Sequence, residues 1–181
     1  MLRTGKNGKN CRKRCCRSLA TGSNDNDVPV YGEFIRPFTF SGGPGLPIVQ
    51  PGGSLIFPVA TVAPSGVTYV DDVSGTGLLV PGGTYLVSWN LNPSVGASVN
   101  LLVNGQNPTT FTAPPINYAQ SLTVGPISNQ YLIVAPLEEN NLISLVNAGA
   151  ALFTLGNIPN TLIGDISILT QIRVQRLSTN N

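Results

Sequence analysis

The chain has 181 residues, which fits a single domain, and the roughly 150 residues after a polar start would bury about two-thirds of their unfolded surface on folding together. Its formal net charge of +2 hides a division: Arg3, Lys6, Lys9, Arg12, Lys13, Arg14 and Arg17 all precede residue 18, while from Val28 onward only Arg36, Arg173 and Arg176 are basic. Histidine is absent and no apolar run is long enough for a membrane-spanning helix, which removes the usual general base, the commonest metal ligand and helical membrane insertion.

The first 29 residues are basic, polar and rich in Gly and Asn, and they hold all three cysteines, Cys11, Cys15 and Cys16, in the hexapeptide CRKRCC. No apolar signal region follows the basic start, so an external location is expected to be reached by assembly from the cell that made the chain. The stretch SLATGSNDNDVP has too few apolar groups to fold alone and reads as a linker with a reach on the order of 40 Å. Residues 1–29 are therefore assigned as a connector and residues 30–181 as the folded domain.

An odd number of thiols on such a tether cannot form a complete internal framework, which makes pairing between chains the leading reading. The neighbouring cations favour thiolate and so speed exchange. Thiols that stay reduced are the alternative. Zinc would need a fourth ligand, or several chains sharing one site, among cations that repel it, and no metal is assigned. A basic arm of this kind also serves phosphate contact with nucleic acid, but no aromatic side chain is interleaved for stacking.

From Tyr31 onward the pattern is of short strands between Gly, Pro and Asn turns, with no sustained helical period. Leu55, Phe57 and Val59 make the first apolar strand, and Pro58 within it places that strand at an edge or a bulge. Asp71-Asp72 and the later Glu138-Glu139 read as exposed turns. Neighbours on a strand face opposite ways, so neither pair forms a two-carboxylate hydrolytic site. The GTG at residues 75–77 also reads as a turn, since no GK[ST] follows it.

Tyr85, Val87, Trp89 and Leu91 alternate along TYLVSWNL, and Val99, Leu101 and Val103 along VNLLVNG, whose Asn104-Gly105 pair predicts a tight turn. Leu142 to Val146 form another apolar strand. Residues 147–164 are weakly patterned, with room for a short helical turn at Ala148 to Ala151. Last comes ISILTQIRVQRL, in which Ile166, Ile168, Ile172 and Val174 are expected on one face and Ser167, Gln171, Arg173 and Gln175 on the other. Strands at this spacing predict an all-β antiparallel jelly-roll sandwich.

The charged residues after Val28 (the three arginines with Glu33, Asp71, Asp72, Glu138, Glu139 and Asp165) fall far short of the usual one residue in about four. A surface so poor in charge points to coverage by identical neighbours. A neutral, monomeric surface of Ser, Thr, Asn and Gly is the alternative.

The strand GGTYLVSWNL, followed by NLLVNGQ, NLISLVN and the final ISILTQIRVQRL, resembles the C-terminal domain of BclA-type exosporium glycoproteins over roughly Tyr31 to Leu177. Those domains are trimeric jelly rolls similar to the tumour-necrosis-factor fold on bacterial endospore surfaces. Two features depart from them: a Gly-X-Y stalk is missing, and the cysteine connector is more like those of endospore appendage fibre subunits. The resemblance implies a homotrimer with the last strand, through Ile172 and Val174 or through its opposite face, near the threefold axis. It further implies tails that attach to other copies or to other spore-coat proteins.

The expectation is thus a non-enzymatic structural subunit of the endospore surface, without cofactor or membrane partner, joined into a fibre or shell through Cys11, Cys15 and Cys16. Nucleic acid is not the expected partner. The other readings are an adhesive or glycan-binding head acting through loops such as PPINYAQ, and a jelly-roll viral coat protein with a nucleic-acid-binding arm.

Overall fold

The computed structural model describes residues 29–38, 47–73, 75–107, 109–110, 118–120, 125–136, 140–158, 162–163 and 166–178. Its elements are all strands: β1 (Tyr31–Pro37), β2 (Ile48–Val49), β3 (Val59–Ala60), β4 (Thr68–Asp72), β5 (Gly75–Val80), β6 (Gly83–Leu91) and β7 (Ser98–Val103). They continue with β8 (Thr109–Thr110), β9 (Tyr118–Gln120), β10 (Ile127–Ala135), β11 (Asn141–Asn147), β12 (Phe153–Thr154), β13 (Leu162–Ile163) and β14 (Ile166–Ser178).

One sheet runs β3-β1-β14-β6-β10-β8, with β13 paired to β14, and the other runs β4-β5-β11-β7-β9. The short pair β12-β2 forms a separate two-stranded sheet. Of the eight strands β1, β5, β6, β7, β9, β10, β11 and β14, the first pairs with the last, the second with the seventh, the third with the sixth and the fourth with the fifth, all antiparallel. This is one long antiparallel hairpin rolled into two facing sheets, the topology of a jelly roll.

The alternation expected in the sequence fills the space between the sheets. Tyr85, Val87, Trp89 and Leu91 of β6, Val99, Leu101 and Val103 of β7, and Ile143 and Leu145 of β11 are buried in one cluster with Leu55, Phe57 and Phe153. The turns take the predicted chemistry. Asn104 (φ 52°) and Gly105 (φ 74°) carry β7 back on itself, with Val103 and Gln106 exchanging backbone bonds of 2.8 and 3.0 Å. Both residues need positive φ, which Asn and Gly tolerate best.

Several expectations are corrected. The final strand does not keep one face throughout, because β14 carries a bulge: Arg36 pairs with Thr170 and Pro37 with Ile168, so Leu169 is an extra residue. Its presence reverses the parity. Leu169 joins Ile172 and Val174 in the main core, whereas Ile168 packs with Ile35 and Ile158 in a satellite cluster. Ile166 pairs with Ile163 and is described through its backbone alone.

The strand expected over Leu55 to Val59 shrinks to the two residues of β3, at the sheet edge. Leu55 and Phe57 are buried, but Val59, beyond Pro58, is exposed. The GTG stretch lies in strand β5, and Asp71-Asp72 are the exposed end of β4. No helical turn forms at Ala148 to Ala151. Buried Asn147 holds that loop instead, accepting from Gly149 N and donating to the carbonyls of Ala151 and Val49.

Candidate assembly surface

The registers of β1, β14, β6 and β10 place side chains in rows across the outside of the first sheet. One row is Tyr31, Gln175, Leu86 and Leu132. The next is Glu33, Arg173, Ser88 and Gln130, and the third is Ile35, Gln171, Asn90 and Ser128. Residues directly opposite on antiparallel strands share a face, and the rows between these hold the inward set, such as Phe34, Ile172 and Trp89. Ile172 and Val174 are therefore consumed by the chain's own core, and what this strand offers outward is Gln171, Arg173 and Gln175.

Four of these polar side chains form one hydrogen-bonded chain. Asn90 Nδ2 donates to Gln171 Oε1 at 2.9 Å, and Gln171 Nε2 donates to Glu33 Oε1 at 3.0 Å. Arg173 Nε donates to Glu33 Oε2 at 2.8 Å, and its terminal nitrogen makes an ion pair with the same oxygen. Burial pushes the Glu33 carboxyl up, but hydrogen bonds from Arg173, Gln171 and Thr61, together with the Arg173 charge, outweigh it and hold the group below its ordinary value. A face whose ionised groups already neutralise each other can be covered by a copy of itself without stranding a single charge.

The row of Tyr31, Gln175, Leu86 and Leu132 is the apolar part. Leu86 and Leu132 are partly exposed, Leu177 beyond the row is 52% exposed, and Tyr31 is 42% exposed. At the β1 end, Tyr31, Glu33, Val62, Arg173, Gln175 and Arg176 line an open cleft of about 300 Å³, beside Pro29 where the described chain begins. Behind the sheet, burial raises the Tyr85 phenol to about 12 despite the opposing effect of Arg176, and its hydroxyl donates to the Pro81 carbonyl at 2.7 Å.

Among the described residues no three His, Cys, Asp or Glu side chains converge, and no helix is long and apolar enough to cross a membrane. Cys11, Cys15, Cys16, Glu138, Glu139 and Asp165 lie outside the described residues, as does most of the PPINYAQ loop. The Glu33 to Arg173 pair was missed in the sequence, being 140 residues apart. The available signal was scarcity, since Arg173 on the outward face of the last strand had few acids to meet.

No family model matches this chain, and no curated protein matches it. Among solved structures it is similar to the PRD1 vertex protein P5, at 14% identity and a TM-score of 0.38, over 83% of this chain and 97% of that one.

Proposed function

We propose that this protein is a non-enzymatic structural subunit that self-assembles as a homotrimer through the outer face of the β1-β14-β6-β10 sheet. Its connectors join copies covalently through Cys11, Cys15 and Cys16, and the place of assembly is the bacterial endospore surface, as the resemblance to BclA-type domains implies. The observation that carries this reading is that outer face, on which Glu33 and Arg173 are paired and Leu86 and Leu132 stand partly exposed.

As each S–S bond forms between chains, two thiols lose two protons and two electrons to an oxidant such as dioxygen. Placing sulfur on a tether lets it find a partner without disturbing a packed body. The test is sedimentation of the full chain with and without reductant, beside a non-reducing gel. Trimers that persist in reductant and higher covalent species that need oxidised sulfur are expected. A monomer in both conditions overturns the assembly, and identical gel lanes remove the covalent links.

A glycan-binding head is the second reading, favoured by the cleft in which exposed Tyr31 stands beside Glu33, Arg173 and Gln175. An aromatic face with hydrogen-bonding groups around it suits a sugar ring. A glycan array on the full chain separates the two, because a purely structural subunit binds no glycan selectively.

A further inference from the structure

The chain holds two Asn-Gly dipeptides, Asn7-Gly8 in the basic leader and Asn104-Gly105 just past β7. Such a pair is chemically reactive, because glycine has no Cβ to keep its backbone nitrogen away from the preceding side chain. At the second pair, the Gly105 nitrogen would give up its proton and attack Asn104 Cγ. The new C–N bond closes a cyclic imide as the Cγ–Nδ2 bond breaks, and Nδ2 leaves with the proton as ammonia. Water then opens the ring at Cγ to give aspartate, or at the Asn104 main-chain carbonyl to give isoaspartate. Water is consumed and ammonia released, and nothing is oxidised or reduced.

Asn104 is exposed, and a Cβ placed on Gly105 would meet nothing within 4 Å, so water reaches this turn. The carboxamide is nonetheless held by β11 at both of its polar atoms. Nδ2 donates to Asn141 Oδ1 at 2.9 Å and Oδ1 accepts from Leu142 N at 2.8 Å, while Asn104 N donates to the Leu142 carbonyl at 2.9 Å. Asn141 is fully buried, and its own amide donates to the Pro136 carbonyl at 2.9 Å, which keeps its oxygen turned toward Asn104. Attack makes the flat Cγ tetrahedral and expels Nδ2, so the bonds at both carboxamide atoms must give way.

We propose that Asn104 is a self-modification site held in check by Leu142 and Asn141, and that the imide forms when the end of β7 comes away from β11. The product resists closing again. A carboxylate at position 104 has no hydrogen to offer Asn141 Oδ1, and isoaspartate lengthens the backbone inside a turn across which Val103 and Gln106 exchange bonds of 2.8 and 3.0 Å. An opening that lasts long enough for ring closure therefore leaves a permanent mark, a new negative charge on a domain that has few.

Asn7, which lies outside the described residues, gives the test an internal reference. The full chain is incubated with reductant at mildly alkaline pH, in buffer and in denaturing urea, then digested with pepsin in acid, where the reaction is slow. Aspartate and isoaspartate peptides from both positions are quantified by mass. In buffer, conversion at Asn104 is expected to be slower than at Asn7 by about tenfold or more, and in urea the two rates are expected to converge. Asn141→Ala removes the acceptor of Nδ2 and should speed conversion at Asn104 while leaving Asn7 unchanged, with the near-ultraviolet signal of Trp89 reporting that the variant is folded. If that variant does not fold, the comparison of buffer with urea decides alone. Equal rates in buffer, a lag at Asn104 that persists in urea, or a folded Asn141→Ala chain with the parental rate overturns the proposal.

Discussion

Gly77 on β5 approaches the Ile143 carbonyl of β11 so closely that a Cβ at position 77 would stand 2.3 Å from that oxygen. Backbone, not a movable side chain, occupies the space, so β5 or β11 would have to shift to admit a methyl group. Gly77→Ala is expected to destabilise the fold by about 1–3 kcal/mol, as overpacking does. The shift in denaturant midpoint at unchanged slope measures it.

Asn147 carries a second local dependence. Its side chain serves Gly149 N, Ala151 O and Val49 O from a fully buried position. Asn147→Leu fits by volume but removes those partners, at about 1–3 kcal/mol for each buried group left unpaired. Thermal unfolding of the variant, with amide exchange of Gly149 as the local reporter, checks the prediction.

These two residues mark where sequence reading stopped. The period-two sets on β6 and β7 were legible because each faces a single core. The bulge in β14 was not, since it depends on Pro37, more than a hundred residues away, lacking the N–H that would keep the register even; Phe38 N bonds Ser167 O just beyond it. Gly75 and Gly77 looked like turn residues because a close approach of backbones and a turn ask for the same missing Cβ. The outward set of β14 was legible in kind, as Gln171, Arg173 and Gln175, but its pairing with β1 and β6 required the topology.

Titration of Glu33 gives an acid signature. Its folded value lies below the ordinary 4.5, so the unfolded state binds the proton more readily, and the stabilisation is present above the unfolded value and lost as pH falls through the folded one. Glu33→Gln should be less stable than the parent at neutral pH, with the difference closing below about pH 4.5. Urea midpoints across that range decide the matter, and a constant difference counts against the ion pair.

Tyr85 supplies the alkaline counterpart. Its phenol is raised from 10.0 to about 12, so the folded state keeps a proton that the unfolded chain releases. Stability is complete below the unfolded value and declines as pH rises toward the folded one. Tyr85→Phe should flatten that decline while losing the bond to the Pro81 carbonyl at every pH. Absorbance of tyrosinate, followed alongside unfolding, separates the two effects.

The outer face makes a prediction about assembly. Leu86 and Leu132 are directly opposite one another on β6 and β10, and a carboxylate at either place would be buried without a partner if the face is covered by a copy. Leu132→Glu is expected to convert the reduced chain to monomer in sedimentation. The near-ultraviolet circular dichroism of Trp89, which lies on the other side of the sheet, should remain unchanged. A persistent trimer with that signal intact would move the interface elsewhere.

Protease susceptibility should follow the division between leader and sandwich. Trypsin cuts after Lys and Arg but not readily before proline, and Arg36 is followed by Pro37, so beyond Arg17 the cleavable sites are Arg173 and Arg176. Both lie within β14, paired to β6, and Arg173 is also paired to β1. Cleavage requires an extended, released backbone, so these bonds should be cut only when β14 opens. Native digestion is therefore expected to leave one fragment from Ser18 to the C-terminus, identified by intact mass. The two arginines should become cleavable together on passing the unfolding midpoint, and early native cleavage after Arg173 would mean that β14 opens on its own while the rest of the sandwich holds.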